Sequence, residues 1–138
     1  MTAPILLDTC AALWLMAGAA MARPARAAID RAQDSEIGVH VSPISAWEIG
    51  VLLSKRRLTL AMAPEEWFNT LLEMPGVRLA SMPPKVLIAS SSLPGTPPND
   101  PADRIIAATA REFGMALVTR DRALTAYAKS GHVDLIVC

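Results

Sequence analysis

Residues 99–121 read NDPADRIIAATAREFGMALVTRD and contain the signals of a helix followed by a strand. Asp100 precedes Pro101, an order that predicts a helix with Asp100 as its N-cap and proline in its first turn, running to about Phe113. The apolar residues 115–119 then predict a strand, and Asp121 lies just beyond its end. A helix that leads directly into a strand predicts a sheet with helical connections.

The same alternation continues on both sides of this stretch. Residues 5–7 (Ile-Leu-Leu) are an apolar run ending at Asp8, which predicts a strand buried on both faces. Further strands are predicted at 37–41, 77–80 and 135–137, and further helices at 9–16, 24–33, 43–54, 64–75, 84–91 and 121–128. Strands that alternate with helices indicate an α/β fold, with a central parallel sheet of about five strands covered on both faces. We expect residues 1–138 to form a single domain.

The composition excludes two broad classes of protein. The chain is 52% hydrophobic, and its 13 Lys and Arg residues balance its 13 Asp and Glu residues. This apolar fraction excludes a disordered chain. The zero net charge excludes a strong overall electrostatic attraction to nucleic acid or to an acidic membrane, so a nucleic-acid site has to be local.

Cysteines and apolar runs predict the compartment. Cys10 and Cys138 are too few for a disulfide framework or a zinc site, and we expect them to be buried free thiols in a reducing cytoplasm. His40 and His132 are too isolated for a histidine metal site. The apolar run 10–22 is shorter than a membrane span, and no Lys or Arg precedes it as a signal peptide requires. We therefore predict a cytoplasmic protein without a membrane segment.

Four carboxylates stand where a site of a parallel sheet is expected. Asp8 and Asp121 follow the first and fourth predicted strands, and such sites form beyond the carboxyl ends of strands. The alternative is that each only caps the following helix. Glu48 falls within an apolar stripe, where a carboxylate needs a partner, although a capping box with Ser45 is an alternative. Asp103 lies in the first helical turn at the edge of the apolar face, and interaction with the helix dipole is its alternative role.

Four motifs in order resemble a known family. LLDT (6–9), SAWEI (45–49), NDPADRIIAATA (99–110) and LVTRD (117–121) together resemble the PIN-domain ribonucleases, specifically the VapC toxins of bacterial type II toxin–antitoxin pairs. The resemblance covers essentially the whole chain and implies the PIN-like three-layer α/β/α fold. It also implies site roles: an acidic catalytic and metal-binding quartet of Asp8, Glu48, Asp103 and Asp121, with Thr9, Thr119, Asp100 and Arg104 as supporting residues. Asn99 stands where many relatives carry histidine.

The resemblance further implies Mg²⁺- or Mn²⁺-dependent hydrolysis of RNA by an endoribonuclease. Oxygen ligands without a Cys/His set suit these hard ions rather than zinc. The implied partners are a VapB-type antitoxin that covers the site and a second copy of the chain. The apolar helices 44–53 and 67–74 are candidates for those surfaces, and ordinary packing on the sheet is the alternative.

Two features remain open at this point. The cationic residues near the predicted crevice are candidates to hold phosphates: Lys55, Arg56, Arg57, Arg104, Arg120 and Arg122. For the run 55–57, a solvated basic surface or contacts to the C-terminus of the preceding helix are the alternative. Trp47 and Trp67 are expected in the core rather than stacked on bases.

A receiver domain is an alternative interpretation of the sequence, but it requires an acidic pair after the first strand and a lysine after the last strand, and both are missing. A catalytically inactive PIN-like module that binds RNA or protein is the other alternative.

Overall fold

A computed structural model describes residues 3–138, in which the strands form one five-stranded sheet. All neighbouring strands pair in parallel, in the spatial order β3-β2-β1-β4-β5. The strands are β1 (Ile5–Leu7), β2 (Val39–Val41), β3 (Val77–Leu79), β4 (Ala116–Thr119) and β5 (Asp134–Val137). The helices of this part of the chain are α1 (Thr9–Ala17), α2 (Arg23–Gln33), α3 (Pro43–Ser54), α4 (Pro64–Glu73), α5 (Pro84–Ser90), α6 (Pro101–Phe113) and α7 (Arg122–Lys129).

Helices cover both faces of the sheet, which confirms the predicted three-layer α/β/α arrangement. Side chains alternate across a strand, so Ile5 and Leu7 of β1 point to one face and Leu6 to the other. Ile5 and Leu7 join a core with α1, α2, α3 and α4, whereas Leu6 joins a second core with α6 and α7. β1 lies in the centre of the sheet, and all three of its residues are buried, as its apolar sequence predicts.

Local capping chemistry sets the helix ends near the predicted positions. The Ser42 hydroxyl accepts a hydrogen bond from the Ile44 amide, 3.1 Å away, and Pro43 follows as the first residue of α3. Gly114 ends α6 with a φ of 62°, in the left-handed region that glycine adopts without strain. The strand predicted from residue 37 begins at Val39, because Gly38 has a φ of 76° and cannot continue an extended strand.

The observed exposure of side chains contradicts three expectations from the sequence. Cys10 is exposed rather than buried, whereas Cys138 is buried as expected. Trp47 is 56% exposed because α3 turns Ser45 and Ile49, not Trp47, toward the interior, and Trp67 is buried in the core as expected. The sequence of α6 also predicts that Arg104, Ala108 and Arg111 share its outer face, but Ala108 is buried because α5 packs on α6.

Helices long and apolar enough to cross a bilayer are absent from the part of the chain that the structure describes.

Candidate active site

A group of acidic residues lies beyond the carboxyl ends of the central strands. Asp8 directly follows β1, and Asp121 lies two residues beyond the end of β4. These two strands pair with each other, Leu7 opposite Val118, so the predicted neighbourhood of the two aspartates is confirmed. Glu48 approaches this edge from α3, and Asp103 approaches it from the first turn of α6.

The Asp8 carboxylate is buried and held by two hydrogen bonds. One oxygen, Oδ1, accepts from the Ala11 amide at 2.7 Å and thereby caps α1. The other, Oδ2, accepts from the Thr119 hydroxyl at 2.5 Å. The Thr119 oxygen also accepts from the amide of Asp121 at 3.0 Å. Thr119 therefore links the two strand-end aspartates, and Asp8 is an N-cap and a member of the acidic group at once.

Thr9 fixes Glu48 in a similar way from the opposite side. Its hydroxyl donates to Oε1 of Glu48 at 2.5 Å and lies 2.9 Å from the hydroxyl of Ser45. Thr9 and Ser45 are both buried. Sequence reasoning treated Ser45 only as the partner in a capping box. The signal that points to this role is its spacing of three residues from Glu48, which places both on one face of α3.

Three of the carboxylates meet at the distance that one cation would require. Oxygens of Glu48, Asp100 and Asp103 lie within 4.8 Å of one another. The sequence assigned Asp100 a supporting role as helix cap, and it does accept from the Asp103 amide at 3.0 Å. Its carboxylate also lies beside that of Glu48, a contact that the capping role does not require. Asp8 and Asp121 lie outside this closest group and act on it through their charges.

The electrostatics of the group show that its negative charge is not compensated. Burial raises the pKa of Asp103 to about 8, and repulsion from Asp121, Asp100, Glu48 and Asp8 adds to the shift. None of the hydrogen bonds among residues 3–138 ends on the Asp103 carboxylate. Burial also raises the pKa of Asp8 and of Glu48, against the opposing hydrogen bonds from Thr119 and Thr9. A cation would relieve this repulsion, and a site made only of oxygen donors suits Mg²⁺ or Mn²⁺.

Two of the candidate phosphate-binding arginines are engaged elsewhere. The Arg104 guanidinium donates to the carbonyl oxygens of Ser90 at 2.9 Å and Pro98 at 3.1 Å, so it braces the loop before α6. These contacts show a structural use of Arg104, while its supporting role at the site and its role in holding phosphate stay predictions. Arg120 donates to the Cys138 carbonyl at 2.9 Å and lies over the ring of Trp14, 3.9 Å from its centroid.

The remaining candidates for phosphate binding are exposed to solvent. Arg122 and the run 55–57 lie at the surface, and none of them takes part in the ion pairs found among residues 3–138. Asn99 is exposed beside Asp100.

Comparisons with known proteins show the family of this chain and the structures that share its fold. The family model for the PIN domain matches residues 5–130. Ribonuclease VapC22 of Mycobacterium tuberculosis is 36% identical over 124 residues, covering 89% of this chain and 91% of that protein. Among solved structures, VapBC2 from Rickettsia felis bound to a DNA fragment from its promoter matches with a TM-score of 0.68 and 13% identity over 97% of this chain and 98% of that one. A toxin–antitoxin complex from Klebsiella pneumoniae matches with a TM-score of 0.60 and 20% identity over 96% and 95%.

Proposed function

This chain belongs to the PIN-domain family, and we propose that it is a Mg²⁺- or Mn²⁺-dependent endoribonuclease, the toxin of a toxin–antitoxin pair. One observation carries the proposal. The carboxylate oxygens of Glu48, Asp100 and Asp103 converge within 4.8 Å, and Asp8 and Asp121 add their charges from the adjacent strand ends. VapC22, which shares 36% of its residues over most of both chains, is itself named a ribonuclease.

The donor set fits a hard divalent cation. We propose that Asp8, Glu48, Asp103 and Asp121 hold it, with Asp100 as a further oxygen donor beside Asp103. When bound, such an ion activates water and stabilises the negative charge that develops on a scissile phosphate. Because the pKa of Asp103 is raised to about 8, this carboxyl group would have to release its proton at neutral pH in order to bind a cation.

The chain's own residues orient these ligands. Thr119 fixes Oδ2 of Asp8 and the backbone of Asp121, and Thr9 fixes one oxygen of Glu48. Each hydroxyl leaves the second carboxylate oxygen, or its remaining lone pairs, available to the crevice. Because these threonines are buried, they hold the carboxylates in place before substrate arrives, which lowers the reorganisation that the reaction requires.

We further propose an antitoxin partner of the VapB type and a homodimer in the cytoplasm. The Klebsiella pneumoniae relative is described as a toxin–antitoxin complex. Apolar side chains available for such contacts are exposed on α3 and α5, both of which pack on α6: Trp47, Leu87 and Ile88. Of the two helices suggested from the sequence, α4 instead buries Trp67 and Leu71 in the core. A monomer at micromolar concentration, unchanged by co-expressed antitoxin, contradicts this part of the proposal.

Incubation of the purified protein with structured RNAs tests the activity. We expect cleavage with Mg²⁺ or Mn²⁺, none with EDTA, and none for Asp103→Asn with either ion. Asp34→Asn is the matched control, because Asp34 is an exposed aspartate at the end of α2, remote from the site, and this variant should cleave normally.

An absence of EDTA-sensitive cleavage of any RNA contradicts the enzymatic proposal and favours the inactive binding module. Full cleavage by Asp103→Asn contradicts the assignment of the site while leaving the activity in place.

A further inference from the structure

A cationic groove runs along α7, directly beside the acidic group. It has a volume of about 310 Å³ and is lined by Arg120, Arg122, Thr125, Ala126, Lys129 and Val137. Three of these six residues are cationic and none is acidic. Val137 belongs to β5, the edge strand of the sheet, and its side chain is 48% exposed. The groove therefore combines positive charge with an apolar wall.

Arg122 and Lys129 carry positive charge that no carboxylate within residues 3–138 neutralises in an ion pair. Both are exposed, and neither takes part in an ion pair within residues 3–138. Arg120 differs, because Trp14 and the Cys138 carbonyl already hold its guanidinium at one end of the groove. The groove thus presents two uncommitted cations next to one that is fixed.

The position of the groove relates it to the acidic group. Arg122 immediately follows Asp121, whose charge raises the pKa of Asp103 and Asp8. Arg122 and Lys129 are seven residues apart, so they lie on the same side of α7 and about 10 Å apart along its axis. The line of positive charge therefore begins at the acidic crevice and leads away from it.

The chemistry of this arrangement suits a single nucleic-acid strand. The acidic crevice itself repels phosphates, so a phosphodiester strand needs cations close by to be held across it. Guanidinium and ammonium groups bind phosphates, and an apolar wall takes the face of a sugar or an unpaired base. An apolar partner alone would leave Arg122 and Lys129 without counter-charge.

We propose that the α7 groove binds the backbone of a single-stranded RNA on one side of the phosphate that is cut, with Arg122 and Lys129 each contacting a phosphate. This inference rests on the proposed ribonuclease function. Because the chain has zero net charge, any contact with nucleic acid has to be local, and the proposal places that contact on α7.

Salt-dependent binding tests the groove separately from cleavage. The full-length Asp103→Asn protein is titrated with a fluorescent single-stranded RNA at several salt concentrations, with and without Arg122→Gln and Lys129→Gln together. Each lost phosphate contact lowers the slope of log K against log salt by about 0.7, so the double variant should show a slope smaller by about 1.4 and weaker binding at low salt. The control is Arg23→Gln with Arg31→Gln, two exposed arginines of α2, and it should leave the slope unchanged.

An unchanged slope and affinity in the Arg122→Gln/Lys129→Gln variant overturns the groove proposal, even if the wild-type protein cuts RNA. A reduced slope supports it, even if no RNA is cut, so the two proposals fail separately. A variant that keeps its RNA affinity but loses affinity for a polyglutamate peptide also overturns it, because the groove would then bind an acidic protein segment. Melting curves verify that both double variants are folded.

Discussion

An aspartate that caps a helix follows both β1 and β4, but the two aspartates differ in burial. Asp8 and Asp121 each N-cap the following helix, accepting from the amides of Ala11 and Leu124. Asp8 is 3% exposed and receives a second hydrogen bond from Thr119, whereas Asp121 is exposed. The difference follows from the strand register. Leu7 lies opposite Val118, so Asp8 is level with Thr119, whereas Asp121 comes two residues farther along the chain and lies beyond the sheet.

One carboxylate can therefore cap a helix with one oxygen and keep the other oxygen for the acidic group. A capping aspartate uses one oxygen for the helix and retains the other. At β1 the fold fixes this second oxygen through Thr119, whereas the Oδ1 oxygen of Asp121 accepts none of the hydrogen bonds found among residues 3–138. We therefore expect the buried member of the pair to contribute more to the site than the exposed one.

The largest expected effect is the loss of activity in Asp8→Asn. Loss of an outer-shell partner typically lowers metal affinity or activity 10- to 100-fold, so removal of a fixed ligand charge should lower RNA cleavage more than about 100-fold. Asp121→Asn should lower it about 10-fold, because its exposed carboxylate is replaceable by water. Cleavage rates at saturating Mg²⁺ measure both. Equal losses in the two variants contradict the difference drawn between the strand ends.

The link between the two aspartates is tested by Thr119→Val. The change removes the donor to Asp8 and the acceptor for the Asp121 amide while keeping the side-chain volume. Unpaired polar groups in this buried position should cost about 2–3 kcal/mol of unfolding free energy and about 10-fold in cleavage rate. Thr119→Ser retains the hydroxyl and is the control, with little loss of either. Denaturant unfolding and the cleavage assay provide the two measurements.

The pH dependence of stability tests the uncompensated charge of the group. The pKa of Asp103 rises from 3.8 to about 8 on folding, so the protonated carboxyl favours the folded state. This contribution is complete below the unfolded-state pKa of 3.8 and is lost as the pH rises through about 8. In EDTA, the loss attributable to Asp103 should be on the order of 1 kcal/mol, since partial exposure screens the repulsion.

Added Mg²⁺ should reduce that loss, and Asp103→Asn should remove it. Urea unfolding at a series of pH values measures both effects. Wild-type stability in EDTA that rises steadily between pH 5 and pH 8, in parallel with that of Asp103→Asn, is the contrary result.

The smallest effect concerns the cap of α7 alone. Asp121→Ala removes the acceptor for the Leu124 amide and should lower the unfolding free energy by about 1 kcal/mol. Asn caps a helix nearly as well as Asp, so Asp121→Asn should be close to neutral in stability. The comparison of both variants by thermal unfolding separates the cap from the charge. An equal loss in Asp121→Asn and Asp121→Ala would show that the charge, which both variants remove, and not the cap stabilises this end.

The fold follows from the sequence because its signals are local. Ser42-Pro43 and Asp100-Pro101 begin helices at the expected residues, and Gly114 ends one. The apolar run 5–7 becomes the central strand, as full burial on both faces requires. The neighbourhood of Asp8 and Asp121 follows in turn from the topology of a parallel sheet.

Features that depend on distances across the fold do not follow from the sequence. Asp100 has the sequence of a plain helix cap, and only the packing of α3 on α6 brings its carboxylate to Glu48. Arg104 donates to carbonyl oxygens of Ser90 at the end of α5 and of Pro98 in the loop before α6, two partners that its place in the sequence does not predict. Trp47 is a large aromatic residue of the kind expected in a core, but its position on α3 places it on the face that points to solvent.

The hydrogen bond from Thr119 to Asp8 joins residues 111 positions apart. A contact of such long range forms late, because most of the chain has to be present before the loop can close. During synthesis at about 5–20 residues per second, the acidic group therefore stays incomplete until β4 has left the ribosome and paired with β1. The proposed nuclease therefore cannot act on RNA before β4, which comes late in the sequence, has joined the sheet.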